Sequence, residues 1–307
     1  MTDLSLPGPI SLRRRFRTAV SRENTTALLM LLPSLVLLIL VIAYPMARGF
    51  VYTLYDGSLL ATGRFVGLGN YYKLFMDPAF WHAASFSFLF AICNIFGCYT
   101  IGLGFALLLN KDFPGRGIVR VLLLLPWTIP SLVAVVSWRW MVADQDALIN
   151  RIVTAFGADP ILFLSNGSWT IVVVIVVKIW ASFPFMMLSL LAALQSVDRT
   201  LYEAAKIDGA SSWHAFRYVT FPGIRSVSVV LCLLMAIWTV NDFDTPWLLA
   251  RGGPADATQN LVVMAYRYTF ARNNVGMGAT ISFVTLFALM ALFALVLRAT
   301  RRSSDAK

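Results

Sequence analysis

Tyr202–Ala210 reads YEAAKIDGA, and the dipeptide Phe221-Pro222 follows it closely. This polar stretch of small residues lies between two long apolar runs of the chain. In a membrane protein, a compact helical segment of this kind is usually presented to a soluble partner on one side of the membrane. The stretch therefore indicates a multi-span protein with a contact surface outside the lipid.

The composition supports a membrane protein. Apolar residues make up 59% of the 307-residue chain, charged residues make up 13%, and the mean hydropathy is +0.74. A soluble domain is about 45–50% apolar and about 25% charged, so the excess of apolar surface is expected to face lipid. The net charge is +10, but the basic residues lie between apolar runs and at the termini, which argues against nucleic acid as a partner.

Six apolar stretches are long enough to cross a membrane. A helix needs about 20 mainly apolar residues to span about 30 Å of hydrocarbon. The stretches are Ala27–Met46, Ser85–Leu109, Ile118–Val142, Trp169–Leu194, Ser226–Trp247 and Gly276–Leu297. Pro126 and Pro130 predict a kink near the start of the third stretch. The sequence thus predicts an all-α membrane protein with six spans.

The basic residues also predict the orientation. If both termini are cytoplasmic, Lys and Arg are about twice as frequent in the inner segments as in the outer ones. The expected organisation is a basic cytoplasmic tail at 1–26, a six-span domain at 27–298 with a cytoplasmic loop at 199–222, and a cytoplasmic tail at 299–307. The segments that then face outside are 47–84, 143–168 and 248–275.

The loop at 199–222 has its own helical pattern. Gly209 would cost about 1 kcal/mol inside a helix, so it is expected to mark a turn between two short helices. Small side chains at Ala204 and Ala205 would let another surface approach the backbone, while Glu203 and Asp208 offer carboxylates. The pattern alone leaves two interpretations open: a segment that transmits motion from a soluble partner, or a surface helix that only links two spans.

A resemblance to a known family favours the first interpretation. Glu203-Ala204-Ala205, Gly209 and Phe221-Pro222 resemble the signature loop of binding-protein-dependent ABC importer permeases. Further similar segments are Phe65–Tyr71, Leu125–Pro130, Arg251–Pro254 and Gly276–Ser282. The chain resembles the carbohydrate-uptake branch, and within it the first permease subunit of maltose- and glycerol-phosphate-type systems. Ser226 departs from the family, which often has a second proline there.

The resemblance implies a type I ABC importer permease fold in the bacterial cytoplasmic (inner) membrane. It implies a heterodimer with a second six-span permease, two cytoplasmic ATPase subunits and an extracytoplasmic solute-binding protein, surrounded by membrane lipid. ATP and Mg²⁺ would bind to the ATPase subunits, and this chain would bind no cofactor. The residues implied in ATPase coupling are Glu203, Ala204, Ala205, Asp208, Gly209, Ala210 and Pro222.

Lys178 interrupts the fourth apolar stretch. A charge near the middle of a bilayer is costly and usually faces a cavity or a partner. Lys178 is therefore expected either to belong to the transport pathway or to form an ion pair with a carboxylate of a neighbouring span. The alternative is that its ammonium group extends past nearby aromatic residues to the outer interface.

Polar and aromatic residues also cluster at the outer end of the fifth stretch. Their spacing places Trp238, Asn241 and Asp242 broadly on one helix face, and aromatic faces with directional polar groups are typical of sugar sites. Thr239 and Asp242 look similar to polar cavity residues of maltose-type permeases. The candidate pathway residues are Trp138, Asp144, Lys178, Trp238, Thr239, Asn241 and Asp242. Hydrogen bonding between helices with an interfacial tryptophan belt is the alternative, and the partner permease could carry the specificity instead.

Enzymatic chemistry has no support in the sequence. His82 and His214 are far apart, the three cysteines match no zinc pattern, and no phosphate-binding loop is present, so neither a catalytic nor a metal site is expected. The remaining rival is a secondary transporter driven by an ion gradient, with Lys178, Asp242 and Asp244 as the start of a proton relay. Such transporters commonly contain an inverted repeat, and none is evident here.

Overall fold

The computed structural model describes residues 26, 27 and 29–305, and the surroundings of side chains as far as residue 299. The predicted tail at 1–26 therefore lies almost wholly outside the described residues. The predicted tail at 299–307 begins within a helix that continues to Asp305. Helices account for most of the described part.

The helices, in chain order, have the following bounds. They are α1 (Leu29–Thr53), α2 (Gly69–Met76), α3 (Pro78–Leu109), α4 (Arg116–Thr128), α5 (Ser131–Val142), α6 (Leu148–Ala155), α7 (Gly167–Gln195), α8 (Arg199–Ile207), α9 (Ser212–Val240), α10 (Asp244–Ala250), α11 (Leu261–Tyr266) and α12 (Val275–Asp305). Three π turns interrupt the α geometry: Ile39–Ala43 in α1, Phe216–Thr220 in α9, and Arg267–Ala271 directly after α11.

The chain divides into two compact units, residues 1–52 and residues 53–307. In the first unit, α1 is apolar and long enough to cross a membrane, and the guanidinium of Arg48 lies 5.5 Å from the ring centre of Tyr52. The second unit contains the other helices and a pair of two-residue antiparallel strands, β1 (Tyr55–Asp56) and β2 (Arg64–Phe65).

Two segments noted in the sequence, Phe65–Tyr71 and Gly276–Ser282, lie against the same backbone carbonyl, that of Tyr55. Asn70 is buried, and its Nδ2 donates hydrogen bonds of 2.9 Å to the carbonyls of Thr53 and Tyr55. A Cβ on Gly276 would lie 2.1 Å from that same Tyr55 carbonyl oxygen. The start of α12 therefore needs a glycine, because the backbone at Tyr55 passes against it.

The centre of the second unit is the packing of α3 against α7. Gly102 allows a close approach of the two backbones, since a Cβ there would lie 2.9 Å from the backbone nitrogen of Met187. Met187, Leu190 and Met235 continue this buried cluster into α9. Because lipid chains are as apolar as these side chains, helix association here depends on close packing and on hydrogen bonds between helices.

Among the described residues, five single helices are long and apolar enough to span a membrane, namely α1, α3, α7, α9 and α12. The pair α4 and α5 supplies the sixth span only as a broken element, bent by 91°. We expected a kink near the start of this span, but the bend lies in its middle. Pro130 lacks an N–H and forces Ile129 into an extended conformation, with ψ at 131°, so helix α4 ends there.

The fifth span also differs from the sequence prediction. It was expected over Ser226–Trp247, but α9 runs from Ser212 to Val240, and Trp247 lies on the separate helix α10. Pro222 was expected to precede this span and instead lies within α9. The helix continues past Pro222 through the π turn, in which the N–H of Phe221 bonds to the carbonyl of Phe216.

Candidate functional site

Lys178 lies well inside α7, about 16 Å along the helix from its start. Its Nζ is 3.2 Å from Oδ2 of Asp242, and the two side chains are 17% and 9% exposed. No described donor makes a well-aligned hydrogen bond to this Oδ2, so the contact is an ion pair. The structure thus confirms the predicted ion pair with a carboxylate and argues against extension of the lysine to the outer interface.

Asp242 lies in the short break between α9 and α10. Its backbone N–H bonds to the carbonyl of Thr239 at 3.1 Å, and its carbonyl accepts a 2.6 Å hydrogen bond from Nδ2 of Asn260. The helix ends at Val240, and the next residue, Asn241, donates from its Nδ2 to the carbonyl of Ile237. The break turns the Asp242 carboxylate inward to face Lys178.

Thr239 links two of the central helices. Its buried hydroxyl accepts a 2.7 Å hydrogen bond from Nδ2 of Asn94 on α3 and donates to the carbonyl of Met235 at 2.6 Å. Cys98 in turn donates to Oδ1 of Asn94 at 3.3 Å. We refer to Asn94, Cys98, Lys178, Thr239 and Asp242 as the buried polar cluster, which joins α3, α7 and the end of α9.

The aromatic candidates lie around this cluster. Trp138 makes an edge-on contact with Trp180 of α7 at 5.6 Å between ring centres. Trp238 packs on Phe185 at 4.8 Å, but nearly half of its side chain remains exposed. Both tryptophans therefore lie against α7, the helix that carries Lys178.

Other candidates are not brought into the cluster. Asp144 is exposed, and its backbone carbonyl accepts hydrogen bonds from the N–H of Ala147 and from Nδ2 of the buried Asn150, which stabilises the turn after α5. Asn241 is exposed, whereas Asp242 points inward. The expected single face of Trp238, Asn241 and Asp242 was therefore wrong, because α9 ends at Val240 and the helical spacing does not reach Asp242.

Three polar contacts in and beside the cluster were not predicted from the sequence. Asn94 was overlooked although an amide inside an apolar run is itself a signal of hydrogen bonding between spans. Asn260 gave no such signal, because it lies outside the apolar stretches. Ser131 donates a 2.6 Å hydrogen bond to Oδ2 of Asp244, which joins α5 to α10 and gives Asp244 a partner other than Lys178.

The 199–222 segment is built from helix caps and one glycine turn. Oδ1 of Asp198 accepts the N–H of Thr200 at 2.9 Å, which lowers the pKa of this carboxyl below its usual value. Gly209 has a φ of +73° and lies between α8 and α9, as the sequence predicted. The hydroxyl of Tyr202 donates to Oγ1 of Thr220 at 3.1 Å and connects α8 to α9.

The side chains of this segment are mostly open to the surroundings. Ile207 is 86% exposed and Trp213 is 67% exposed. No atom lies within 4 Å of the position that a Cβ would take on Gly209. Of the residues predicted to couple, those that are exposed are Glu203, Ala204, Asp208, Gly209 and Pro222, and those that are half-buried are Ala205 and Ala210.

Comparison with known proteins identifies the class. Residues 98–304 match the family described as binding-protein-dependent transport system inner membrane component, and the chain belongs to this family. The chain is therefore an inner-membrane ABC permease and not an enzyme. This membership overturns the alternative of a secondary transporter driven by an ion gradient.

The chain is also similar to individual permease proteins over most of its length. The chain is 33% identical to the trehalose/maltose transport system permease protein MalF of Thermococcus litoralis, over 90% of this chain and 93% of that protein. It is 32% identical to the sulfoquinovosyl glycerol transport system permease protein SmoG of Agrobacterium fabrum, over 91% of each. The fold also matches a bacterial alginate ABC transporter, solved in complex with an alginate pentasaccharide-bound periplasmic protein. That match has a TM-score of 0.80 and 20% identity, over 92% of this chain and 96% of that one.

Proposed function

We propose that the chain is a permease subunit of an ATP-driven importer of a sugar or a related polyol, and that it forms half of the translocation pathway. The names of its relatives support this solute class, since they refer to trehalose, maltose and a sulfoquinovosyl glycerol. The observation that carries the proposal is the ion pair of Lys178 and Asp242 in a buried polar cluster between apolar spans.

The buried polar cluster supports a polar pathway because its polar groups are costly in lipid and are held in place by several helices. Oδ2 of Asp242 is buried and accepts no hydrogen bond from a described donor, so a solute hydroxyl would reach it only if the helices around it moved apart. The exposed side of Trp238 offers an aromatic face of the kind that packs on a sugar ring. We therefore retain Trp138, Lys178, Thr239 and Asp242 as pathway residues, with Trp238, Asn241 and Asp144 at its margins.

The proposed assembly contains a second six-span permease, two cytoplasmic ATPase subunits and an extracytoplasmic solute-binding protein. The family description supports the last of these, because it names transport that depends on a binding protein. Both termini and the 199–222 segment would face the cytoplasm, where the ATPase subunits bind ATP and Mg²⁺. This chain would contribute no cofactor of its own.

The 199–222 segment would couple this chain to an ATPase subunit. Its backbone is fixed by caps and by the Tyr202–Thr220 hydrogen bond, while Ile207 and Trp213 leave large apolar surfaces uncovered. Exposed apolar surface beside exposed carboxylates is typical of a protein interface. Small residues at Ala204 and Gly209 would allow the partner to approach the backbone closely.

Charge reversal at Glu203 tests this role. We expect Glu203→Lys, and independently Gly209→Asp, to abolish co-purification of the ATPase subunits and solute uptake while the chain still inserts into the membrane. The matched control is Asp146→Lys, which reverses an exposed charge in the 143–168 segment, expected to face the opposite side of the membrane. Wild-type uptake by the Glu203 and Gly209 variants would contradict the coupling role.

The solute class requires a separate measurement. Solute-stimulated ATP hydrolysis by the assembled transporter in proteoliposomes, with its binding protein and a panel of sugars and polyols, is expected to respond to at least one of them. A response only to amino acids or inorganic ions would reject the sugar assignment and leave the permease assignment intact.

A further inference from the structure

We propose that a cleft at the junction of α3, α4, α7 and α8 binds the phosphate group of an anionic ligand. The cleft has a volume of about 690 Å³. It lies at the end of α3 and α7 that is next to the 199–222 segment, well away from the buried polar cluster. The polar side chains that could contact a ligand are Asn110, Lys111, Arg116, Gln195, Arg199 and Tyr202.

The charges in the cleft are unbalanced. Three cations line it, and the only carboxylate among its described lining residues is Asp112. Asp112 pairs with Arg116, with 2.9 Å between Nη1 and Oδ1. Lys111 and Arg199 make no ion pair with any described residue. Two cations therefore remain available to an anion.

The donor set fits a phosphate group. Arg199 presents a planar fork of N–H groups that suits phosphate oxygens, and Lys111 adds a compact point charge. The side-chain amides of Asn110 and Gln195 have no hydrogen-bond partner among the described residues and can donate to the same ligand. Several donors around one concave site match an anion with several acceptor oxygens better than a single carboxylate.

Two sources share this chemistry. The cleft lies at the ends of α3 and α7, two helices long and apolar enough to span a membrane, so we expect it at the depth of phospholipid headgroups. Exposed apolar side chains nearby, Leu108 on α3 and Ile118 on α4, could contact acyl chains. A soluble phosphate ester would use the same cations without these apolar contacts, so binding measurements can separate the two.

The location gives the site a role in the transporter. Arg199 is the first residue of α8, and Tyr202 is hydrogen-bonded to Thr220 of α9. A ligand held between Lys111 and Arg199 would tie the loop after α3 to the 199–222 segment. Occupancy would thus restrict the position of the segment proposed to receive the ATPase.

The test uses the assembled transporter with wild-type or Lys111→Ala/Arg199→Ala permease. In one arm, native mass spectrometry counts retained phosphatidylglycerol against phosphatidylcholine. In the other, equilibrium dialysis in lipid-free detergent measures binding of inorganic phosphate and glycerol phosphate. The control, Arg120→Ala/Arg298→Ala, removes two exposed cations that do not line the cleft.

We expect the Lys111/Arg199 variant to bind the phosphate-bearing probe about tenfold or more weakly, and the control to bind as wild type. Selective loss of phosphatidylglycerol identifies a lipid headgroup, and selective loss of phosphate or glycerol phosphate identifies a soluble ester. Asp112→Asn, which frees Arg116 without removing a cation, should bind the same probe more tightly. Equal binding by wild type, test and control variants, or no binding of any probe, would overturn the proposal.

Discussion

The buried polar cluster and the 199–222 segment differ in how their polar groups are satisfied. In the cluster, Lys178 has Asp242 as its partner and Thr239 has Asn94, all within one chain. In the segment, the helix ends are capped, but Glu203 and Ile207 face outward without such partners. This difference is consistent with the proposed roles: the ion pair and hydrogen bonds of the cluster form within this chain, whereas the segment exposes the side chains that we propose contact an ATPase subunit.

The largest expected effect comes from breaking the ion pair of the cluster. Lys178→Met leaves the Asp242 carboxylate buried without a cation, and we expect the free energy of unfolding to fall by about 3–5 kcal/mol. Denaturant unfolding of the purified protein in detergent measures this change. Solute uptake should be lost as well.

The double variant Lys178→Met/Asp242→Leu distinguishes the effect of an unpaired charge on stability from the effect of altered packing. Replacing both members of a buried pair by apolar residues is often neutral for stability, so this variant should regain most of the lost free energy. It should not regain uptake if the pair belongs to the pathway. If the single variant Lys178→Met proved as stable as wild type, the Asp242 carboxylate would not be isolated from water.

A smaller effect is expected at the glycine turn of the segment. Gly209 has a φ of +73°, and Val in that conformation costs about 1–2 kcal/mol. Because the site is open, the cost should remain local and appear as faster amide hydrogen exchange in α8, with unchanged exchange in α7. Gly209→Asn is the control, since asparagine tolerates this conformation. Slower exchange or equal effects of Val and Asn would contradict the assignment.

The smallest expected effect is a pH dependence at the start of α8. The N–H of Thr200 holds the pKa of Asp198 below its usual value, so the cap is fully present above that usual value. As the pH falls through the lowered pKa, the carboxylate gains a proton and the cap weakens. Amide exchange at Thr200, corrected for the intrinsic rate, should then increase. Asp198→Asn should remove the pH dependence, because asparagine also caps helices.

Much of the fold follows from the sequence because span length and polar segments are local properties. The apolar helices at five of the six predicted spans and the Gly209 turn are examples. The Lys178 ion pair was also predictable, since a lone charge in lipid requires a partner. The break at Ile129 was misplaced because two prolines were available, and the sequence does not show which one interrupts the helix.

The missed contacts are those that depend on distant residues. Asn260 bonds to the Asp242 carbonyl, and Asn94 bonds to Thr239, across separations that no local pattern reveals. The inward turn of Asp242 depends on where α9 ends, which helical spacing alone could not predict. Position within the three-dimensional structure, and not residue type, decided which candidate residues meet.

Helix α9 connects the 199–222 segment at one end to the buried polar cluster at the other. Its 29 residues extend about 43 Å, from Ser212 beside the glycine turn to Val240 beside Asp242. If α9 tilted by about 5° around its end at Ser212, its other end would swing by about 4 Å. That displacement exceeds the 3.2 Å between Lys178 and Asp242. A modest rotation at the Ser212 end is thus geometrically sufficient to separate the two charges beside the Val240 end.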